Sequence, residues 1–114
     1  MNKLIIEFQN NRLWIHIGKE DRNLVKDLQA MMPDTKFGSG HELDSKIMDS
    51  ALSNGEAWFR CSNGVSYVSD HPRISSCRRL SPWVYDHGPI VDIKDILYED
   101  NIHIDENDLM EIIS

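Results

Sequence analysis

Glu56-Ala57-Trp58-Phe59-Arg60-Cys61 and Val65-Ser66-Tyr67-Val68 stand on either side of Ser62-Asn63-Gly64. Both flanks are rich in aromatic and β-branched residues, and Asn-Gly tolerates the positive φ angles that a tight turn between two strands demands. The stretch predicts an antiparallel hairpin over 56–69. A second hairpin is expected over 3–17, where Leu4-Ile5-Ile6-Glu7-Phe8 and Leu13-Trp14-Ile15-His16-Ile17 flank the turn-forming Gln9-Asn10-Asn11-Arg12.

Between the hairpins the apolar period lengthens. Leu24, Val25, Leu28, Met31 and Met32 recur at helical spacing behind Glu20-Asp21 and stop before Pro33, predicting a helix over 20–32. The polar stretch 33–40 reads as a loop. Leu43, Ile47, Met48, Ala51 and Leu52 form one face of a second helix over 43–53, closed by Asn54-Gly55.

Beyond the second hairpin, residues 69–82 read as an irregular loop carrying Pro72, Ser75, Ser76 and the basic cluster Arg73, Arg78 and Arg79. Trp83-Val84-Tyr85 reads as a fifth strand. Ile90, Ile93, Ile96 and Leu97 fit a third helix, and Asp105 opens a last short one through Leu109, Met110, Ile112 and Ile113. This order implies an α+β fold: a single domain over 1–114, with an antiparallel sheet of two or more hairpins and its helices segregated to one face. A chain of 114 residues can bury one core without disulfide or metal staples.

The formal charge of −7 is unevenly distributed. Residues 1–85 hold ten acids against eleven Lys and Arg, so they are nearly neutral. Residues 86–114 hold nine acids against Lys94 alone, a net of −8. Such a field repels phosphates and anionic lipid and attracts basic surfaces, so neither nucleic acid nor membrane is an expected partner. The N-terminal apolar run is broken by Glu7 before it reaches the length of a signal-peptide core, and the expected location is the cytoplasm. Cys61 and Cys77 are therefore expected as reduced thiols.

Catalytic and metal chemistry has thin support in the sequence. Asp70-His71 and Asp86-His87 are two Asp-His pairs, and Cys77 between them could serve as a thiol with His71 or His87 as its base. Their spacing matches no zinc site, and the chain has neither Cys-x-x-Cys nor a Gly-rich phosphate loop. The expectation is a non-enzyme without metal or cofactor. Trp14 and Trp58 read as sheet residues, whereas Trp83 and Tyr85 at the end of the basic loop read as interface aromatics. The expected partner-binding surface joins these two to Asp92, Asp95, Glu99, Asp100, Asp105, Glu106 and Asp108.

In its small size, acidity and α+β texture the whole chain resembles the immunity proteins of contact-dependent growth inhibition and other polymorphic toxin systems. The resemblance is of general character and carries no motif. It implies an inhibitor of a basic protein, foremost a nuclease toxin. A phage-encoded inhibitor of a host defence nuclease would share these features, and a small enzyme built on His71, Cys77 and His87 is the competing class.

Overall fold

A computed structural model describes residues 2–62 and 73–102 of the chain. Their fold is α+β, built on a five-stranded sheet in the order β2-β4-β3-β1-β5. The strands are β1 (Trp14–Gly18), β2 (Lys36–Phe37), β3 (Glu56–Ser62), β4 (Arg73–Cys77) and β5 (Ile90–Asp92). The α-helices are α1 (Lys3–Gln9), α2 (Val25–Met31), α3 (Lys46–Ala51), α4 (Pro82–Asp86) and α5 (Ile93–Ile102), with a 3-10 helix over Lys19–Leu24. The sheet is mixed rather than purely antiparallel. β3 runs antiparallel to β1 and β4, while β5 pairs in parallel with β1 and β2 in parallel with β4.

Side-chain alternation divides the sheet into two faces. The front face carries Ile15 opposite Phe59, Ile17 opposite Ala57, and Cys61 opposite Ile74. Against it pack Ile5 and Phe8 of α1, Val25 and Leu28 of α2, Met48 and Ala51 of α3, and Ile93 and Ile96 of α5. The back face carries Trp14 and Trp58, covered by Val84 of α4. Helices α1, α2, α3 and α5 are thus segregated to one face as expected, and α4 lies on the other.

Five local expectations from the sequence are corrected. The residues expected as the first arm of a hairpin over 3–17 form α1 instead. Asn2 caps it, its Oδ1 accepting from the Ile5 amide at 3.1 Å while its Nδ2 donates to the Ile96 carbonyl at 2.8 Å. Asn11, expected in a β-turn, sits just past the helix at φ 64°, a left-handed position that Asn accepts at a helix end. The same residue type signals both structures. Trp83-Val84-Tyr85 is helix α4, with Ser81 at its N-cap and Pro82 in its first turn.

Residues 73–77, expected as loop, form β4 beside β3. Only Ile74 of this strand is buried, so no apolar run advertised it. Ile90 belongs to β5, and helix α5 begins after it; Asp92 caps α5, its Oδ2 accepting from the Lys94 amide at 3.0 Å. The loop over 33–40 contains β2, which buries Phe37 against Phe59 at a ring separation of 6.3 Å. The arm at Val65–Val68 and the helix from Asp105 lie outside the described residues, while α2 and α3 fall within the expected spans.

Gly88 joins α4 to β5 at φ +127°, where a Cβ would stand 2.8 Å from the carbonyl oxygen of Arg12. Gly88→Ala is therefore expected to lower unfolding free energy by more than about 1 kcal/mol. Gly38→Ala, at a position with nothing within 4 Å, is the control and should change it by less than about 0.5 kcal/mol. Urea denaturation of the two variants checks this.

Candidate functional site

The back face is a grid set by strand register. One row across it reads Asp92, His16, Trp58 and Cys77, from β5 through β1 and β3 to β4. The neighbouring row holds Ile90 opposite Trp14 and Arg60 opposite Ser75. Polar and aromatic groups that a one-faced sheet would leave in water are here brought together beneath a short helix.

His16 is the polar centre of the first row. Its Nδ1 lies 2.7 Å from Asp92 Oδ1 and its Nε2 lies 2.8 Å from Glu56 Oε1. Both partners are carboxylates, which only accept when ionised, so the geometry favours a ring protonated on both nitrogens. Partial burial opposes that charge and is the largest single influence on it. The hydrogen bonds to Asp92 and Glu56, with the attraction of both charges, outweigh it and raise the pKa above 6.5. The ring also leans on Trp58, with centroids 5.3 Å apart.

Arg60 anchors the second row. Its guanidinium carbon lies 5.6 Å from the Trp14 ring centroid and 5.7 Å from that of Trp83, so the cation abuts both indoles of the edge-on pair. Its Nε donates to Asn11 Oδ1. Trp83 meets Trp14 edge-on at 5.3 Å, and the His87 ring lies 4.3 Å from Trp83. His87 Nδ1 donates to the Trp83 carbonyl at 2.6 Å, which fixes the ring over α4. The Trp14 indole N–H is buried without an acceptor among the described residues, an arrangement that costs about 1–3 kcal/mol.

The expected binding residues fall into two layers. Trp83 and Tyr85 project from α4 on the back face, 50% and 62% exposed, with Leu80 just before the helix at 41%. Asp92 lies on that face but is engaged by His16 and by the α5 cap. Asp95 is exposed on α5, across the sheet from α4, and Glu99 and Asp100 belong to the same helix. Lys94, the one cation of the acidic quarter, lies 3.5 Å from Asp21 and 3.9 Å from Asp92. Asp105, Glu106 and Asp108 lie outside the described residues.

The candidate catalytic set is not assembled among the described residues. His71 lies outside them. Cys77 packs against the Trp14, Trp58 and Val84 cluster, and His87 stacks on Trp83, with no hydrogen bond joining them. Cys61 faces the front core, where burial pushes its thiol up to about 12 and leaves it unreactive. It and Cys77 point to opposite faces, and both are free. No group of His, Cys, Asp and Glu among the described residues has the arrangement of a metal site.

A cavity of about 380 Å³ beside Lys19, Arg22 and Asp49 offers no open chemistry, because Asp49 and Asp44 already bind Arg22 at 2.7 Å each. Among the described residues no helix is long and apolar enough to cross a membrane. No protein-family model, curated protein or solved structure matches the chain.

Sequence reasoning missed His16, Glu56, Arg60 and Asn11. The alternation Trp14-Ile15-His16-Ile17 carried a signal, since a histidine between two buried positions on a strand with a Trp neighbour implies a partly covered second face. Which carboxylates would meet it depended on register.

The raised pKa of His16 gives a signed prediction. A group protonated more readily in the folded state stabilises it fully below its unfolded pKa of 6.5, and that contribution fades as pH rises through the folded value. Thermal stability should therefore fall as pH is raised from 6 through 8, and His16→Gln should flatten that part of the profile. Titration of the His16 ring protons by NMR should give a midpoint above 6.5; a midpoint at or below 6.5 would refute the assignment.

Proposed function

We propose that the chain is a binding protein, acting without catalysis, that neutralises a basic partner, foremost a nuclease toxin, in the manner of an immunity protein. The observation that carries this reading is the pair of exposed aromatics on α4, Trp83 and Tyr85, in a chain of net charge −7. Exposed aromatics on a short, docked helix are the chemistry of interface anchors, and a one-sign field is the chemistry of partner choice.

The separation of α4 from α5 divides the labour. Steering depends on the summed field, so acids on α5 and beyond accelerate encounter without lying in the footprint. Contact belongs to the back face, where Trp83 and Tyr85 bury surface against the partner and set its residence time. Asp86, exposed, follows Tyr85 directly on α4. The acidic segment 86–109 thus serves attraction, and the helix at 82–86 serves grip.

Reversing Asp86, Asp95 and Glu99 together to Lys should slow association by about tenfold or more, and added salt should reproduce the effect because screening sets in beyond about 8 Å. Asp92 is unsuitable for reversal, since it caps α5 and holds His16. Tyr85→Ala should instead speed dissociation about thirtyfold, corresponding to about 2 kcal/mol, without loss of folded stability. Surface plasmon resonance against the product of the adjacent reading frame reads both rates. Binding indifferent to charge reversal and salt, or a cognate partner that is itself acidic, would overturn the reading.

A further inference from the structure

His16 and Arg60 both touch the indoles of the back face, and they are treated differently. His16 has a carboxylate on each ring nitrogen, whereas Arg60 meets no carboxylate among the described residues. This is unexpected in a chain with 19 acids and 12 Lys and Arg, because acids are in excess and two of them, Glu56 and Asp92, stand on the same face. They are spent on His16. Arg60 Nε is occupied by Asn11, while Nη1 and Nη2 have no partner among the described residues and are not sealed from solvent.

We propose that Arg60 is the anchor of an oxyanion-binding site, taking a carboxylate or phosphate group across its Nη1 and Nη2 edge. A guanidinium presents two parallel N–H donors at the spacing of two oxygens on one carbon or phosphorus atom. Free arginines lose rotamer entropy when they bind, but this one is already held. Contact with both Trp14 and Trp83 and the hydrogen bond to Asn11 restrict its motion. Preorganisation of this kind lowers the cost of binding.

A second donor in the same cage also lacks an acceptor. The Trp14 indole N–H is buried with no partner among the described residues, and its ring is one of the two that Arg60 abuts. Trp83, the other, is half-exposed, so a ligand has access from the α4 side. The oxyanion can come from a free phosphate or carboxylate compound or from a carboxylate on a partner protein. The site does not depend on the inhibitor reading, since a small anion suffices to reveal it.

The experiment titrates the full chain with inorganic phosphate, with acetate, and with an N-acetylated peptide bearing a free C-terminal carboxylate or its amide, all at fixed ionic strength. The Trp14 and Trp83 indole resonances report occupancy. A saturable shift is expected with at least one oxyanion, weakened about tenfold or more in Arg60→Lys, which keeps the charge and loses the fork. It should be abolished in Arg60→Gln and unchanged in Lys26→Gln, a cation on α2, which packs on the opposite face of the sheet. Preference for phosphate assigns a free anion, and preference for the peptide acid over its amide assigns a partner carboxylate. Absence of saturation with every probe, equal shifts in Arg60→Gln, or undiminished affinity in Arg60→Lys would each overturn the proposal.

Discussion

The fold depends on strand β1 being covered on both sides. Ile15 and Ile17 enter the front core while Trp14 enters the back cluster, and all three are almost fully buried. A strand buried on both faces must lie inside a sheet, and β1 is flanked by β3 on one side and β5 on the other. Slipping its register by one residue would drive Trp14 and His16 into the aliphatic front core and leave Ile15 and Ile17 on the polar side. The strand is therefore specified by its own alternation. Trp14 takes its amide partner from Pro89, at 2.8 Å, which brings the chain leaving α4 alongside β1 and starts β5.

Two helix-length apolar patterns and two strands were legible for this reason: they advertise burial directly. The 3.6-residue recurrence from Leu24 to Met32 and from Leu43 to Leu52 has one meaning, and both helices lie within the expected spans. Short runs carry less. Leu4 to Phe8 has the composition of a strand, yet Asn2 caps it as a helix and Ile5 and Phe8, one turn apart, supply the buried edge. Trp83-Val84-Tyr85 has strand propensity but follows Ser81-Pro82, and the cap with the proline in the first turn overrides propensity. β4 was invisible because pairing with its neighbours, not burial of its own side chains, defines it. Cross-strand partners of Ser75 and Ser76 are Arg60 and Phe59, and pairing between β3 and β2 accounts for that strand better than hydrophobicity does.

The candidate site was legible in its residue types and not in its arrangement. Exposed aromatics at 83 and 85 and an acidic C-terminal quarter can be read from composition, but their placement in different layers follows from β5. That strand passes along β1 at the sheet edge and delivers α5 to the front, whereas α4, immediately before it, stays behind. Three residues of strand thus separate two surfaces that are adjacent in sequence. Glu56 and Asp92 lie 40 and 76 positions from His16 in sequence and meet it only through the registers of β1 with β3 and β5.

The electrostatics of the two layers consequently differ in kind. On the back face the two carboxylates Glu56 and Asp92 pair with His16, and Arg60 adds a positive group against the indoles. That surface is locally balanced and aromatic, suited to short-range, directional contacts. The negative field of the molecule arises elsewhere, from α5 and the acids after it, where Lys94 is already neutralised by Asp21 and Asp92. Long-range attraction falls off over a Debye length and tolerates imprecise placement, whereas stacking and bidentate hydrogen bonds demand fixed groups. The chain accordingly keeps its ordered cations and rings on the sheet, where register fixes them, and concentrates its excess charge in the C-terminal quarter, where position matters least.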